Sequence, residues 1–359
     1  MPSNPLSVIT PVTSSVTLLL GYFGDPIVTS PWVSSEDEFL TQFPVAKWRD
    51  RLAVRLFFEN GGQHLIIFNT GSSEPATLIH RDPLSERVWL GDAVLSGLND
   101  ISSFDLLIVS PEFQINGTQW YTALQAYCDQ RDAILLISPP PLPRDEIGDW
   151  FESHPELHKR HVAIYFPPIT VGEDHIGPVY SVAGIFNRLA QTNGVWIAPS
   201  GAAAYLDGTS TPMIALKNEE TLRLNNMGIN CIRSFKSIGT VIWGNTTGVG
   251  LDSPNGYWKY ISVRRTLFYI KKCIQDALRP LHVIPYYRGV EDDVIAIVEP
   301  FLLELYTLGA FAGKSDRESY SILCEPHGDG IQVSAGLALL KPDELVGIKV
   351  IVQMLRQEI

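Results

Sequence analysis

The sequence lacks the features of membrane-spanning, disulfide-bonded or secreted chains. Its four cysteines, Cys128, Cys231, Cys273 and Cys324, are scattered and form no C-x-x-C pair. This argues against a disulfide framework or a cysteine-based metal site and favours a reducing cytoplasm. The longest apolar run of the first segment, Val16 to Tyr22, is far below the ~20 residues that span a bilayer. That segment also has neither the basic region nor the A-x-A pattern of a signal peptide.

Positive charge is also scarce, with 27 Lys and Arg residues against 39 Asp and Glu residues and a net charge of −12. A phosphate-rich partner requires a cationic surface, so the sequence predicts no nucleic-acid partner. Hydrophobic residues make up 45% of the chain and charged residues 18%, which is the balance of a folded rather than a disordered protein. At 359 residues the chain is expected to hold two domains.

The first two thirds of the sequence alternate between strand-like and helix-like segments. Near-continuous apolar runs predict strands at 16–24, 64–69, 104–109, 133–138, 161–166 and 239–244. Helical spacing and capping residues predict helices at 45–59, 118–130 and 179–189. Strands that are apolar on both faces need helices on both sides of the sheet. The pattern therefore predicts a three-layer α/β domain.

The last third has a different pattern, typical of an α+β domain. Helices are predicted from Val263 to Leu278 and from Val290 to Leu308, followed by strands at 320–324 and 331–338. A final strand is predicted because alternate residues are apolar, namely Val346, Ile348, Val350, Val352 and Met354. A strand in this position is either a protected edge or one that pairs with another molecule.

The turn Gly208-Thr-Ser-Thr-Pro-Met213 resembles the serine-bearing turn of subtilisin-type proteases. That mechanism needs a histidine base earlier in the chain, usually in a His-Gly-Thr setting. None of the earlier histidines has that setting, and the only His-Gly pair, His327-Gly328, follows the serine. The earlier histidines are His64, His80, His154, His158, His161 and His175. Turn propensity explains the residues equally well. A serine hydrolase using Ser210 is therefore the alternative, and no enzyme activity is expected.

His154, His158 and His161 have the spacing of a metal-binding helix, but Pro155 interrupts them and no acidic ligand completes the pattern. A solvated loop is the preferred interpretation. The glycine-rich stretches match neither a Walker nor a dinucleotide fingerprint. The sequence therefore predicts no metal and no cofactor.

The helix that begins near Val263 carries a concentration of positive charge in an acidic chain. Five cations oppose only Asp276, namely Arg264, Arg265, Lys271, Lys272 and Arg279. Most such runs are simply a solvated helix face. Charge patches also orient partners, so this helix is a candidate docking face for an anionic surface. A soluble adaptor that binds an acidic partner without polymerising is a further alternative.

A series of short motifs gives the sequence a more specific resemblance. In chain order they are FFENGG at 57–62, AIYFP at 163–167, VAGIFNR at 182–188, GVWIAP at 194–199, LN at 224–225, GIN at 228–230, VIWG at 241–244, WKYISVRR at 258–265 and LGAFAG at 308–313. Together they resemble the contractile tail sheath proteins of phages and of related contractile injection systems. The resemblance covers about residues 16 to 359, and the ordered series is more specific than any one motif.

The resemblance implies a subtilisin-like three-layer α/β domain without protease activity and a C-terminal α+β domain. It divides the chain into an N-terminal arm at 1–15, the sheath domain at 16–250, the C-terminal domain at 251–345 and a C-terminal strand or arm at 346–359. It also implies homo-oligomeric hexameric rings that stack around an inner tube protein and contract. Terminal arms would add strands to neighbouring subunits, here at 346–354, and the basic residues 264–279 would face the tube.

Two departures from the family pattern indicate a particular kind of sheath subunit. The arm before the first domain strand is short, from Pro5 to Thr13, and Asn245-Thr246-Thr247 replaces the alanine-arginine pair and R-T that commonly follow W-G. The hypothesis is a minor sheath subunit in a terminal, baseplate-proximal ring, similar to the short paralogues of antifeeding-prophage particles. Its implied partners are sheath paralogues and baseplate or sheath-initiator proteins. It would be made in the cytoplasm of the producing bacterium and then join the particle.

Overall fold

The computed structural model describes residues 6–24, 27–72, 78–82, 88–113, 118–254, 256–342 and 344–355. The chain divides into two units, Ser14–Arg265 and Met1–Thr13 together with Thr266–Ile359. Residues 1–5 of the predicted arm and residues 356–359 of the predicted C-terminal segment lie outside the described residues. The family-based boundaries at 15, 250 and 345 remain predictions.

The larger unit is built on an eight-stranded sheet. Its strands, in chain order, are β1 (Thr17–Gly21), β2 (Val28–Val33), β3 (Leu65–Asn69), β6 (Leu106–Val109), β7 (Ile134–Ile137), β8 (Val162–Phe166), β12 (Ile229–Phe235) and β13 (Gly239–Trp243). The spatial order is β13-β12-β8-β7-β6-β1-β3-β2. The six inner strands are parallel, and only the edge strands β2 and β13 run antiparallel to their neighbours. Five of the six predicted apolar runs are therefore inner strands of a mixed α/β sheet, and the sixth, 239–244, is its edge strand β13.

Both faces of this sheet are buried, which explains why its strands do not alternate apolar and polar residues. Every residue of β1, β3, β7 and β8 is buried. Among the described residues up to 254, its helices are α1 (Glu36–Gln42), α2 (Trp48–Glu59), α3 (Asp92–Asn99), α4 (Thr118–Gln130), α5 (Ile147–Glu152), α6 (Val179–Asn193) and α7 (Asn218–Met227). Leu18, Leu107 and Ile164 belong to one continuous core between the sheet and its helices.

Helix α6 packs directly against α2, and one glycine makes this contact possible. A Cβ added at Gly184 would lie 2.2 Å from the backbone oxygen of Phe57. Such a distance is far inside van der Waals contact, so a larger residue would push the two helices apart. The glycine of the 182–188 motif is therefore required by helix packing.

Several short elements of the larger unit were absent from the sequence-based prediction. They are the hairpin β4 (Ile79–Arg81) and β5 (Val88–Leu90), and the small sheet of β9 (Ile169–Val171), β10 (Asp174–Ile176) and β11 (Thr211–Pro212). Strand β12 and helices α3 and α7 were also not predicted. Single turns of 3₁₀ helix lie at Pro155–Leu157, Ala202–Ala204 and Gly256–Lys259.

Helix α8 (Ile261–Leu278) has its first five residues in the larger unit and the rest, from Thr266, in the smaller unit. The further elements of the smaller unit are a 3₁₀ segment (Arg279–Val283), α9 (Val290–Thr307), α10 (Asp316–Ser319), β14 (Tyr320–His327), β15 (Gly330–Ala338) and β16 (Leu345–Gln353). The strands form an antiparallel sheet in the order β14-β15-β16. The prediction of strands in this region is confirmed.

One face of this sheet is buried and the other is open. Val346, Ile348, Val350 and Val352 are each 8% exposed or less, while the residues between them are exposed. The predicted two-residue period of the last strand is thus confirmed. None of the helices in the described ranges combines the length and the apolar character that a membrane-crossing segment requires.

Candidate functional site

The hydrolase alternative requires a histidine beside Ser210. Ser210 is buried just before β11, and its backbone carbonyl accepts a hydrogen bond from Thr240 Oγ1 at 2.8 Å. It lines a cavity of about 340 Å³ whose charged residues are Arg55, Glu59 and Asp207, with no histidine among the described residues that line it. A serine hydroxyl without an adjacent base is a weak nucleophile. The geometry therefore does not favour hydrolysis at Ser210.

The three histidines with metal-like spacing each contact different partners. The ring of His154 lies 4.6 Å from that of Trp150, and the ring of His158 stacks on Phe151 at 4.1 Å. His161 is buried, and burial lowers its pKa below the usual range. Within the described parts of the chain, no three His, Cys, Asp or Glu side chains are grouped so as to hold a metal ion.

The 57–62 motif ends α2 and joins it to a distant loop. Asn60 Nδ2 donates to the Leu56 carbonyl at 2.8 Å, and Asn60 Oδ1 accepts from the Asp207 amide at 2.9 Å. Gly61 has a φ of +96°, and a Cβ there would lie 2.7 Å from Arg188 Cβ. Both the conformation and the space therefore require glycine. The motif forms a structural joint.

Arg188, the arginine of the 182–188 motif, binds the same loop. Its Nη1 lies 2.9 Å from Asp207 Oδ2, and its Nη2 donates to the Tyr205 carbonyl at 2.6 Å. The guanidinium carbon lies 3.9 Å from the centre of the Tyr205 ring. A guanidinium with a carboxylate, a carbonyl and an aromatic ring as partners is fixed in orientation. Arg188 therefore holds the 205–207 loop against α6.

Asn230, from the 228–230 motif, links three segments of the larger unit. Its Nδ2 donates to the carbonyls of Ile164 at 3.1 Å and Thr246 at 2.8 Å, and its Oδ1 accepts from the Thr246 amide at 2.8 Å. The side chain is fully buried. A buried amide with all of these bonds formed is costly to remove. Asn230 therefore fixes Thr246, in the Asn-Thr-Thr sequence after Trp243-Gly244, to β12, and also joins β12 to β8.

Asn245 stands where the family pattern commonly has an alanine, and it supports the start of α8. Its Oδ1 accepts from the Ser262 amide at 3.0 Å, its Nδ2 donates to Ser262 Oγ at 2.9 Å, and its carbonyl accepts from the Ile261 amide at 3.0 Å. The first amides of a helix lack partners within the helix. Asn245 supplies those partners from a residue outside the helix, which gives this departure a structural role.

The predicted tube-facing role is wrong for Arg264 and Arg265, because each is only 5% exposed. The Arg264 guanidinium lies 4.8 Å from the centre of the Trp258 ring, and burial lowers the Arg264 pKa to about 10. Arg265 Nη2 donates to Ser15 Oγ and to the Phe186 carbonyl. Side chains enclosed in this way cannot form a surface for a partner.

The other three cations of the predicted docking face occupy more open positions. Lys271 and Lys272 are half-buried on α8. Arg279 follows the helix, its side chain is 74% exposed, and it pairs with Asp276. Exposed ion pairs contribute little to stability, so this pair leaves the arginine available to a partner. Tube contact at these three residues remains a prediction.

Strand β16 lies at the edge of its sheet and pairs there with β15. In an antiparallel strand the N–H and C=O of one residue point to the same side, and those of the next residue point to the other. The Gln353 carbonyl lies 2.8 Å from His282 Nδ1, and the Leu355 amide donates to Ile284 at 3.1 Å. The odd-numbered residues therefore point their backbone groups away from β15.

This alternation changes which residues of β16 can bind another strand. The predicted residues Val346, Ile348, Val350, Val352 and Met354 have buried side chains, and their backbone groups point towards β15. The residues that point outward before the segment covered by His282 and Ile284 are Leu345, Gly347, Lys349 and Ile351. Strand addition at 346–354 remains a prediction, and the backbone groups open to it belong to the residues between the buried ones.

A buried carboxyl, not singled out from the sequence, lies in the larger unit. Asp50 in α2 is fully buried, it accepts a hydrogen bond from Ser110 Oγ, and burial raises its pKa to about 6. Ser110 follows β6 and lines a crevice of about 600 Å³ at the carboxyl ends of β6 and β7. Its hydroxyl also accepts from the Glu112 amide at 3.2 Å. With both bonds used, Ser110 anchors the turn after β6 to α2.

No protein-family model matches the sequence, and no curated protein matches it either. Solved structures do match. A chain of the anti-feeding prophage (AFP) baseplate, 23% identical, aligns with a TM-score of 0.75 over 99% of this chain and 96% of its own. The contracted sheath complex of an extracellular contractile injection system, PVC, aligns at 0.74 and 19% identity over 100% of this chain and 96% of its own. The sheath tail protein Lin1278 from Listeria innocua aligns at 0.65 and 10% identity over 96% of each chain.

The chain has the fold of the contractile tail sheath proteins, and the resemblance carried by its motifs is confirmed at the level of fold. The similar structures include chains of contractile injection particles and sheath tail proteins. They match nearly the whole chain, so the likeness extends over the residues of both units.

Proposed function

We propose that this protein is a structural subunit of the contractile sheath around the inner tube of a phage tail or contractile injection system. The observation that carries the proposal is the whole-chain likeness to sheath and baseplate structures. The subunit polymerises as stacked hexameric rings and contracts to drive the tube through a target envelope. Contraction of this kind requires two packed arrangements of one subunit, with the contracted arrangement lower in free energy. No catalysis is proposed.

In this proposal the larger unit is the subtilisin-like sheath domain and the smaller unit is the C-terminal α+β domain. The parallel inner strands β1, β3, β6, β7, β8 and β12 support the first assignment, since a layered α/β domain is built on such a sheet. Segments 1–15 and 346–359 are the proposed arms. The absence of a histidine among the described residues lining the Ser210 cavity supports a domain without protease activity.

Subunits are linked by strand addition to the edge of β16. The added strand bonds to the backbone of Leu345, Gly347, Lys349 and Ile351, whose groups point outward. The side chains of Val346, Ile348, Val350, Val352 and Met354 contribute by fixing β16 to its own core. Backbone bonds supply the affinity in this mode of recognition, and alternate side chains supply the specificity.

Lys271, Lys272 and Arg279 are the proposed tube-facing residues. They concentrate positive charge in a chain of net charge −12, and such patches set the register and rate of docking more than its affinity. Arg264 and Arg265 no longer belong to this surface, because they are buried.

The position we propose is a terminal, baseplate-proximal ring. Two of the similar structures are AFP baseplates, one of them in the contracted state, which supports this position. The partners are further copies of this chain, sheath paralogues, the inner tube protein and baseplate or sheath-initiator proteins. The protein is made in the cytoplasm of the producing bacterium and then becomes part of the particle.

Electron microscopy of the chain coexpressed with its tube and baseplate partners tests this function. The expected result is density for the chain in a six-fold ring next to the baseplate. Monomers under every condition would contradict a sheath role. A chain repeated along the whole sheath would contradict the terminal ring alone.

A further inference from the structure

The chain passes between its two units at residues 13/14 and 265/266. On the side of the larger unit, these two places are joined by one hydrogen bond. Arg265 Nη2 donates to Ser15 Oγ across 250 positions of sequence. Ser15 is 1% exposed and Arg265 is 5% exposed, so the bond is shielded from solvent. The first and last segments of this unit are therefore tied together by a buried hydrogen bond.

Helix α6 holds both members of this pair. The Phe186 carbonyl accepts from Arg265 Nη2 at 3.2 Å, and the Arg265 guanidinium lies 4.6 Å from the centre of the Phe186 ring. Asn187 Nδ2 donates to the Ser15 carbonyl at 3.0 Å. Two consecutive residues of a central helix thus bind the two ends of the unit. Burial lowers the Arg265 pKa to about 10, which leaves the guanidinium charged at neutral pH.

The backbone conformation of Ser15 indicates that a serine is required at this position. Its φ is +63°, in the left-handed region that residues with a side chain rarely adopt. Such a conformation persists only where several contacts hold it in place. Here the contacts are the bonds to Arg265 and Asn187, and the next amide, that of Val16, donates to Asp105 Oδ2 at 2.8 Å. Glycine would relieve the strain but would remove the hydroxyl that binds the arginine.

We propose that Arg265 is a clamp that joins both chain exits of the larger unit into one anchored point. Through Ser15 and α6 it keeps β1 and the first turn of α8 fixed when the chain outside Ser14–Arg265 moves. A pull on either exit is then shared by both exits and by α6. The clamp is a property of the larger unit and does not depend on the proposed sheath role.

Hydrogen exchange of the full chain, followed by mass spectrometry, tests the clamp, because a change at either end of the hydrogen bond should increase exchange at the other end. Ser15→Ala is expected to increase exchange at residues 261–265, and Arg265→Gln at residues 16–21, each by about tenfold or more, because a hydrogen bond to a buried charged group is lost. The matched control is Arg264→Gln, a neighbouring buried arginine that stacks on Trp258. It is expected to affect exchange near residues 258–265 and to leave residues 16–21 unchanged.

Ser15→Gly separates the clamp from backbone strain and keeps the test decisive if Arg265→Gln does not fold. Glycine accepts the left-handed conformation, so a purely local role predicts unchanged or slower exchange throughout. The clamp predicts faster exchange at residues 261–265 even with the strain relieved. Unchanged exchange at 261–265 in both Ser15 variants would overturn the proposal.

Discussion

Replacing Lys349 with proline tests the strand-addition proposal at a single backbone atom. Lys349 is exposed on β16, and its N–H belongs to the set that points away from β15. Proline has no N–H, and an edge strand tolerates it where that N–H faces away from the sheet. The substitution therefore removes one donor from the proposed interface and leaves the pairing of β16 with β15 in place.

The structure predicts opposite results at neighbouring residues. For Lys349→Pro the unfolding free energy should change by less than about 1 kcal/mol, as at other surface positions. Each contact between subunits would lose a hydrogen bond worth about 1 kcal/mol, and the ring would also exclude the partner's carbonyl. Val350 is 2% exposed and is paired opposite Val333. Val350→Pro should instead lower the unfolding free energy by about 3 kcal/mol or more, because apolar burial and a ladder hydrogen bond are lost.

Denaturant unfolding of the purified chain measures the change in unfolding free energy. Sedimentation and electron microscopy of particles, coexpressed with tube and baseplate partners, measure assembly. Lys349→Ala is the matched control, because it removes the same charge and side chain but keeps the N–H. We expect Lys349→Ala to assemble and Lys349→Pro to remain folded but unassembled. Equal assembly of the two variants would refute strand addition at this edge.

Three further predictions concern other parts of the molecule. Burial raises the pKa of Asp50 from its usual 3.8 to about 6, so ionisation of Asp50 opposes folding above about pH 6. As the pH is lowered from about 8 to about 4, the unfolding free energy of the wild type should rise by up to about 3 kcal/mol relative to that of Asp50→Asn. The exposed control Asp37→Asn should retain the wild-type pH dependence. Lys271→Glu combined with Lys272→Glu should weaken cosedimentation with the tube while the circular dichroism spectrum stays unchanged, and undiminished cosedimentation would place the tube contact elsewhere. An active-site serine probe should label neither wild type nor Ser210→Ala, whereas labelling that depends on Ser210 would restore the hydrolase alternative.

The elements found from the sequence are those whose own pattern is strong. Apolar runs such as 134–137 and 162–166 are strands because helices cover both faces of the sheet. The two-residue period of β16 follows from one buried and one open face. Strand β12, Ile229–Phe235, is not predicted because it begins directly after Gly228 and because Asn230, Arg233 and Ser234 interrupt its apolar residues. The strands β9, β10 and β11 are too short to carry a period, and they form through pairing with each other.

The burial of polar side chains at the candidate sites could not be predicted from the sequence. The cations of α8 indicate a basic helix, but their spacing does not indicate that its first turn is enclosed. The aromatic neighbours of Arg264 and Arg265 are Trp258 and Phe186, and Phe186 comes from a different segment of the chain. Asp50 likewise resembles any helical acid until Ser110 is placed beside it. Burial of a polar side chain is decided by tertiary partners, which local spacing does not encode.

The way in which the chain is shared between the two units has a consequence for biosynthesis. The larger unit is one continuous segment, while the smaller unit takes residues from both sides of it. A ribosome adds residues in order, so the larger unit can complete its contacts once Arg265 has emerged, whereas the smaller unit must wait for β16. An unpaired strand edge invites association with other chains. Because β16 is translated last of the strands, its open edge becomes available only after most of the polypeptide has had time to fold.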